Sequence, residues 1–153
     1  MLNIVLHQPE IAMNTGNIGR TCSVTGSRLH LIHPLGFIID DKRLARAGMD
    51  YWHSLDISFY ENFADFVNKN DNPIIYMIET SANRIYTEAS FEKGSFIMFG
   101  SESGGIPSHI LHEYAETTLR IPMLEGSRSL NLASCAAAII YEALRQHCFA
   151  NLS

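Results

Sequence analysis

Hydrophobic and polar positions along the chain fall into two alternating kinds of run. Short β-branched or apolar runs at Leu2–Leu6, Leu29–His33, Ile57–Tyr60, Ile74–Ile78, Ser95–Phe99 and Thr118–Ile121 read as strands. Several are nearly continuous rather than alternating, the pattern of strands covered on both faces in a parallel sheet. Helical spacing occurs between them at Thr15–Thr25, Asp41–Ala47, Asn62–Asn68, Pro107–Tyr114 and, most clearly, Ser129 to His147. Pro107, after a glycine pair, suits the first turn of its helix. The last helix opens with LNLASCAAAII, small or apolar nearly all round, so more than one covered side is expected. A partner subunit is a natural second surface. Together the runs predict an α/β fold, a mostly parallel open sheet flanked by helices.

The 153 residues, 46% hydrophobic and 18% charged, suffice for a single domain over 1–153 and leave no room for a separate binding domain. A formal charge of −5 argues against a protein that coats nucleic acid by bulk attraction. That average covers unlike parts. Residues 1–48 hold five basic and three acidic side chains, a balance of +2; residues 49–119 stand at −8 and residues 120–153 at +1. Three widely spaced cysteines, Cys22, Cys135 and Cys148, form no disulfide framework and no CxxC pair, which suits a reducing cytoplasm. The start MLNIVLHQPE lacks the basic lead of a signal peptide, and Leu130–Leu144 is too short and too polar to cross a bilayer. A cytoplasmic protein without a membrane partner is expected.

Candidate chemistry gathers in three glycine-bearing segments after predicted strands: Asn14–Arg20 (NTGNIGR), Gly100–Pro107 (GSESGGIP) and Glu125–Asn131 (EGSRSLN). Ligands of open α/β sheets sit at such turns, beyond the carboxyl ends of strands. Gly100-x4-Gly105 resembles the start of a P-loop, but Ile106 stands where that motif needs lysine. No GxGxxG follows a strand, and Gly100–Gly104 centres Glu102 where a hydrolase elbow needs serine. His109 and His112 share a helix face without the HExxH order, so no metal site is expected. His30 and His33 read as a packed or edge pair on a strand.

Taken together, the three segments resemble the motifs of the SPOUT superfamily of S-adenosylmethionine (AdoMet)-dependent RNA methyltransferases, in its TrmH-like 2′-O-ribose branch. The similarity runs from about Leu2 to His147. Asp41–Gly48 (DKRLARAG) and the ending Tyr141-Glu-Ala-x-Arg145 narrow it to the tRNA (cytidine/uridine-34-2′-O)-methyltransferases. The resemblance implies a deep C-terminal trefoil knot around the cofactor pocket, a homodimer, and transfer of the AdoMet methyl to the ribose 2′-OH of the tRNA wobble nucleotide, with S-adenosylhomocysteine as product and no metal. Ribosomal RNA, another tRNA position, or a catalytically weak AdoMet- and RNA-binding dimer are the alternatives.

By the same resemblance, Arg20, Asn14, Glu102, Ser129 and Asn131 are the catalytic candidates. Arg20 is assigned to the phosphate and 2′-OH, since its guanidinium is a reluctant general base. Glu102 is expected to orient Arg20 or a loop of the other subunit, and Asn14 to fix its turn, orient Arg20 or cap a helix. Ser129 and Asn131 open the last helix, where side chains meet exposed backbone N–H groups. Loops around Ile78, Thr80, Gly100, Ile121, Met123, Ser129, Leu130 and Ala133 are assigned to the cofactor. Arg20, Lys42, Arg43, Arg46 and Arg128 are candidates for RNA phosphates, and Tyr141, Tyr51 or Trp52 for base stacking. Packing in the core or an interface is the alternative for Tyr51 and Trp52. Two positions depart from the family pattern: Gly104, where relatives often carry Arg, and Ala133-Ser134, where a Ser-Asn pair is common.

Overall fold

The computed structural model describes residues 1–39, 50–150 and 152–153. Seven strands make one sheet: β1 Asn3–His7, β2 Arg28–Ile32, β3 Ile57–Tyr60, β4 Ile75–Ile78, β5 Arg84–Ile85, β6 Phe96–Phe99 and β7 Thr118–Arg120. Their order is β3-β2-β1-β6-β4-β7-β5, and every pairing is parallel. The six expected strands form within one residue of their expected ends. The seventh, β5, is two residues at the sheet edge, too short to leave a periodic signal in the sequence.

Parallel neighbours need crossovers, and helices supply them on both faces. They are α1 Ala12–Thr25, α2 Phe63–Lys69, α3 Ser108–Glu113 and α4 Leu132–Gln146, with 3-10 turns at Asp50–Ser54, Tyr86–Glu88 and Ala115–Thr117. One face packs Ile4, Leu6 and Ile97 under Ile18 and Cys22 of α1 and Ile139 and Ile140 of α4. On the other, Val5, Met77 and Met98 meet Phe66 of α2 and Ile110 of α3. Ile4 and Leu6 therefore serve one core and Val5 the other, which is why the middle of β1 is apolar in three successive residues. The expected helix Asp41–Ala47, with Lys42, Arg43 and Arg46, lies outside the described residues.

Four helix starts differ from expectation, α2 by a single residue because Asn62 is its N-cap. α1 begins at Ala12, so Asn14–Arg20 is helix and not a turn. Its glycine serves packing: a Cβ on Gly19 would lie 3.2 Å from both Leu55 Cδ2 and Trp52 Cζ3, and the Asp50–Ser54 turn fits into that space. Trp52 is thereby buried in the core. α3 begins after Pro107, which holds the N-cap position rather than the first turn. α4 begins three residues later than expected, and Asn131 caps it. Its buried residues, Ala136, Ile139, Ile140, Ala143 and Leu144, follow a one-sided helical stripe. The alanines hid that stripe in the sequence because they sit on both sides of the helix.

His30 is buried between Tyr60 and Asn3, with Nδ1 2.8 Å from the Tyr60 hydroxyl and Nε2 3.2 Å from Asn3 Oδ1. Burial, with a smaller contribution from Arg28, lowers its pKa to about 4. His33 lies just past β2 and is exposed.

Candidate cofactor and catalytic site

The carboxyl ends of β1, β4, β6 and β7 open into a cleft of about 650 Å³. Its walls come from four chain segments that the sheet order brings side by side. After β6 the chain folds back sharply, with Ser101 and Gly105 exchanging backbone hydrogen bonds at 2.9 and 3.2 Å. Only glycine fits Gly100 there, since a Cβ would stand 2.1 Å from the Gly105 carbonyl carbon and 2.3 Å from the Ile106 nitrogen.

Glu102 projects from this loop to the start of α1. Its carboxylate accepts hydrogen bonds from the backbone N–H groups of Glu10 (2.7 Å) and Ile11 (3.3 Å) and from Asn14 Nδ2 (2.9 Å). α1 has no side-chain cap of its own at Ile11, so Glu102 caps it from 92 residues away. A carboxylate suits that position because the helix N-terminus carries a partial positive charge. Glu10 returns the contact, accepting from Ser103 N at 2.9 Å and Ser103 Oγ at 2.6 Å. Glu102 thus holds the β1–α1 loop of its own chain.

Asn14 carries the network onward. Its Oδ1 accepts from Asn131 Nδ2 at 2.9 Å, while Asn131 Oδ1 accepts from the N–H groups of Ala133 (2.9 Å) and Ser134 (3.3 Å). In each amide the oxygen meets only donors and the nitrogen only an acceptor, so the orientation of both is fixed by chemistry. The run Glu102–Asn14–Asn131 links the N-termini of α1 and α4 across the cleft. Asn14 is buried within α1, not an N-cap.

Of the residues assigned to the cofactor, Ile78 and Thr80 line the cleft after β4, and Gly100 lines it after β6. Ile121 and Met123 line it after β7, and Ser129 and Leu130 line it before α4. Ala133 does not line it; its backbone is engaged by Asn131. Asn14, Glu102 and Asn131 also face the cleft. Of the pair expected to open the last helix, Asn131 alone caps it, which leaves the Ser129 hydroxyl outside the helix.

Arg20 stands apart from the cleft wall, on the exposed side of α1. Its Cζ lies 5.0 Å from the centre of the Tyr51 ring, and the Tyr51 hydroxyl donates to the Gly16 carbonyl oxygen. Tyr51 therefore supports Arg20 by a cation–π contact from a ring tied to the same helix. Arg128 and Tyr141 are exposed, Arg128 in the loop before α4 and Tyr141 on the outer face of α4. Glu79 and Cys135, which no motif singles out as site residues, also line the cleft. A lone carboxylate beyond a strand and a thiol in an alanine-rich helix have no motif to mark them. Burial, followed by the charge of Glu79, pushes the Cys135 thiol up to about 11. Among the described residues no group of three or more His, Cys, Asp or Glu is arranged to hold a metal ion, and no helix is long and apolar enough to cross a membrane.

A parallel sheet with a glycine-walled cleft at its carboxyl edge, closed by the N-termini of two helices, is the arrangement of a known class. The chain belongs to the SpoU rRNA methylase family, which it matches over residues 1–141. An Escherichia coli protein, 43% identical over 147 residues with 95% of this chain and 94% of its own covered, is named tRNA (cytidine(34)-2′-O)-methyltransferase. A Geobacillus stearothermophilus relative, 48% identical over 155 residues and covering 99% of each chain, bears that name provisionally. A solved structure concerned with 2′-OH methylation of C/U34 on tRNA has a TM-score of 0.90 and 40% identity, covering 97% of each chain. The AviRb methyltransferase of Streptomyces viridochromogenes, solved with AdoMet, shares the fold at a TM-score of 0.82 and 22% identity, over 97% of this chain and 58% of its own.

Proposed function

We propose that the protein transfers the methyl group of AdoMet to the ribose 2′-OH of nucleotide 34, a cytidine or modified uridine, in specific tRNAs. The observation that carries this reading is the joining of Glu102, Asn14 and Asn131 in one network on the cleft wall of a chain 43% identical to a tRNA (cytidine(34)-2′-O)-methyltransferase. The cleft suits AdoMet in size and kind: about 650 Å³, with the backbone of the Gly100–Gly105 loop on its wall to meet an uncharged adenine. Ile78, Thr80, Gly100, Ile121, Met123, Ser129 and Leu130 would hold it, and when bound it supplies an electrophilic methyl on a sulfonium leaving group.

The chain's own residues have three tasks in this reading. The Glu102–Asn14–Asn131 network holds the cleft loops in one geometry, the positioning that an in-line transfer demands. Arg20 binds an RNA phosphate and polarises the 2′-OH, while Tyr51 limits its freedom. Arg128, Lys42, Arg43 and Arg46 supply further phosphate contacts, and Tyr141 a stacking surface.

The same reading takes the protein to be a single-domain cytoplasmic homodimer with a C-terminal trefoil knot, no metal and S-adenosylhomocysteine as product. Return of β7 between β4 and β5, strands already laid down, supports a threaded C-terminus. The exposed Met13 and Val24 of α1 support a second subunit over that helix.

Labelled methyl should pass from AdoMet to tRNA with purified protein, and Arg20→Ala should nearly abolish transfer without unfolding the chain. Mapping the ribose methyl lost when the protein is deleted identifies the nucleotide. Loss of a methyl from ribosomal RNA, with position 34 intact, would overturn the substrate assignment.

A further inference from the structure

Glu79 is the first residue after β4 and lines the cleft. Its Oε1 accepts from the Thr80 N–H (2.8 Å) and the Thr80 hydroxyl (3.1 Å), and its Oε2 accepts from the Ile106 N–H (3.1 Å). Gly105, at φ +66°, leaves room for it, since a Cβ there would lie 2.4 Å from Glu79 Oε2. The carboxylate is therefore clamped between the loop after β4 and the loop after β6.

All three of these donors are neutral. Among the described residues the cleft wall holds two carboxylates, Glu79 and Glu102, and no Lys, Arg or His. The two acids differ in their surroundings. Glu102 faces the N-terminus of α1, whose partial positive charge offsets its own. Glu79 accepts from two groups of Thr80 and from one N–H just ahead of the short α3, and among the described residues no cation meets it. Its charge also reaches α4, where it adds to burial in pushing up the Cys135 thiol.

We propose that Glu79 makes the cleft prefer the positively charged methyl donor over the neutral thioether left after transfer. This inference rests on the AdoMet reading above. Donor and product differ by one unit of charge and a methyl group, so shape alone separates them poorly. A fixed carboxylate in a partly dehydrated wall stabilises the cation and does little for the thioether. The product would then leave more readily than the donor, which lessens product inhibition.

Calorimetric binding to the full chain tests this with three probes: AdoMet, S-adenosylhomocysteine, and sinefungin, which carries an ammonium in place of the sulfonium. The wild-type protein should bind both cations roughly 5- to 10-fold more tightly than the thioether at low salt. E79D should keep that preference, and E79Q should reduce it to within about twofold. Equal weakening of all three ligands in E79Q would reduce Glu79 to a clasp between loops and overturn the proposal. So would equal affinities in the wild-type protein, a result that needs no variant to fold. If the wild-type protein binds none of the three, the AdoMet reading itself fails and this inference falls with it.

Discussion

The side-chain amide of Asn131 donates to Asn14 Oδ1 at 2.9 Å, joining residues 117 apart in sequence. Because Asn131 Oδ1 also receives the first free N–H groups of α4, one residue both starts that helix and ties it to α1. Substitution can separate these duties. Asn131→Asp keeps a capping oxygen but loses the donor to Asn14 and sets a carboxylate against Asn14 Oδ1. It should retain most of the wild-type stability and lose at least tenfold in methyl transfer. Asn131→Ala should lose both, with about 1–2 kcal/mol of stability gone. Urea denaturation and a transfer assay on the same preparations check the difference.

Glu102 accepts three hydrogen bonds and Glu10 answers with two, so the β1–α1 and β6–α3 loops are held from both sides. A Gln at position 102 would turn an amide N–H₂ toward donors. Glu102→Gln should cost about 1–3 kcal/mol, chiefly by leaving the amide of buried Asn14 without its acceptor. Glu10→Gln should cost less, because its partners at Ser103 are exposed. Thermal melting of the two variants gives the ranking.

At Gly100 the obstacle to a side chain is backbone, which cannot swing aside as the end of a flexible side chain can. Gly100→Ala should displace the Gly105–Ile106 segment and weaken AdoMet binding by tenfold or more, with a stability loss on the order of 1–3 kcal/mol. Calorimetry and urea titration measure the two effects. Wild-type affinity in this variant would mean that the loop does not shape the cofactor site.

Gly104 gives the opposite expectation. A Cβ there meets only Ser101 Oγ, at 3.3 Å, and the backbone is not in the left-handed region. Gly104→Arg should fold normally, bind tRNA several-fold more tightly and show a steeper salt dependence. Filter binding at two or more ionic strengths tests it.

His30 couples the second core to pH. Its folded pKa, about 4, lies below its ordinary value of 6.5, so the fold holds the neutral imidazole. His30 contributes stability that is fully present above pH 6.5 and is lost as pH falls from 6.5 to 4, up to about 3 kcal/mol. His7, also buried, is shifted downward by desolvation and then by His109, and acts in the same direction. Stability measured by denaturant from pH 7.5 to 4.5 should fall, and His30→Gln should flatten part of that slope. An imidazole titrating near 6.5 in the folded protein would contradict the assignment.

Much of the fold was legible along the chain. The strands of the two-sided sheet show as apolar runs because each buries alternate residues in a different core, a local property that needs no knowledge of partners. Asn14, Glu102 and Asn131 could be singled out by motif. Their contacts could not: Asn14 lies inside a helix, and Glu102 accepts from the start of α1. Glu79 stayed hidden because its significance depends on Gly105, which becomes its neighbour only when β6 settles beside β4.

The sequence by itself determined the α/β class, six of the strands and the segments from which a cleft would be built, because hydrophobic periodicity and turn chemistry act over a few residues. The tertiary structure alone decided the strand order, the cap that Glu102 places on α1 and the bond between Asn14 and Asn131. The last two require segments about 90 to 120 residues apart to meet within hydrogen-bond distance, and burial of both faces of one sheet is what brings them there.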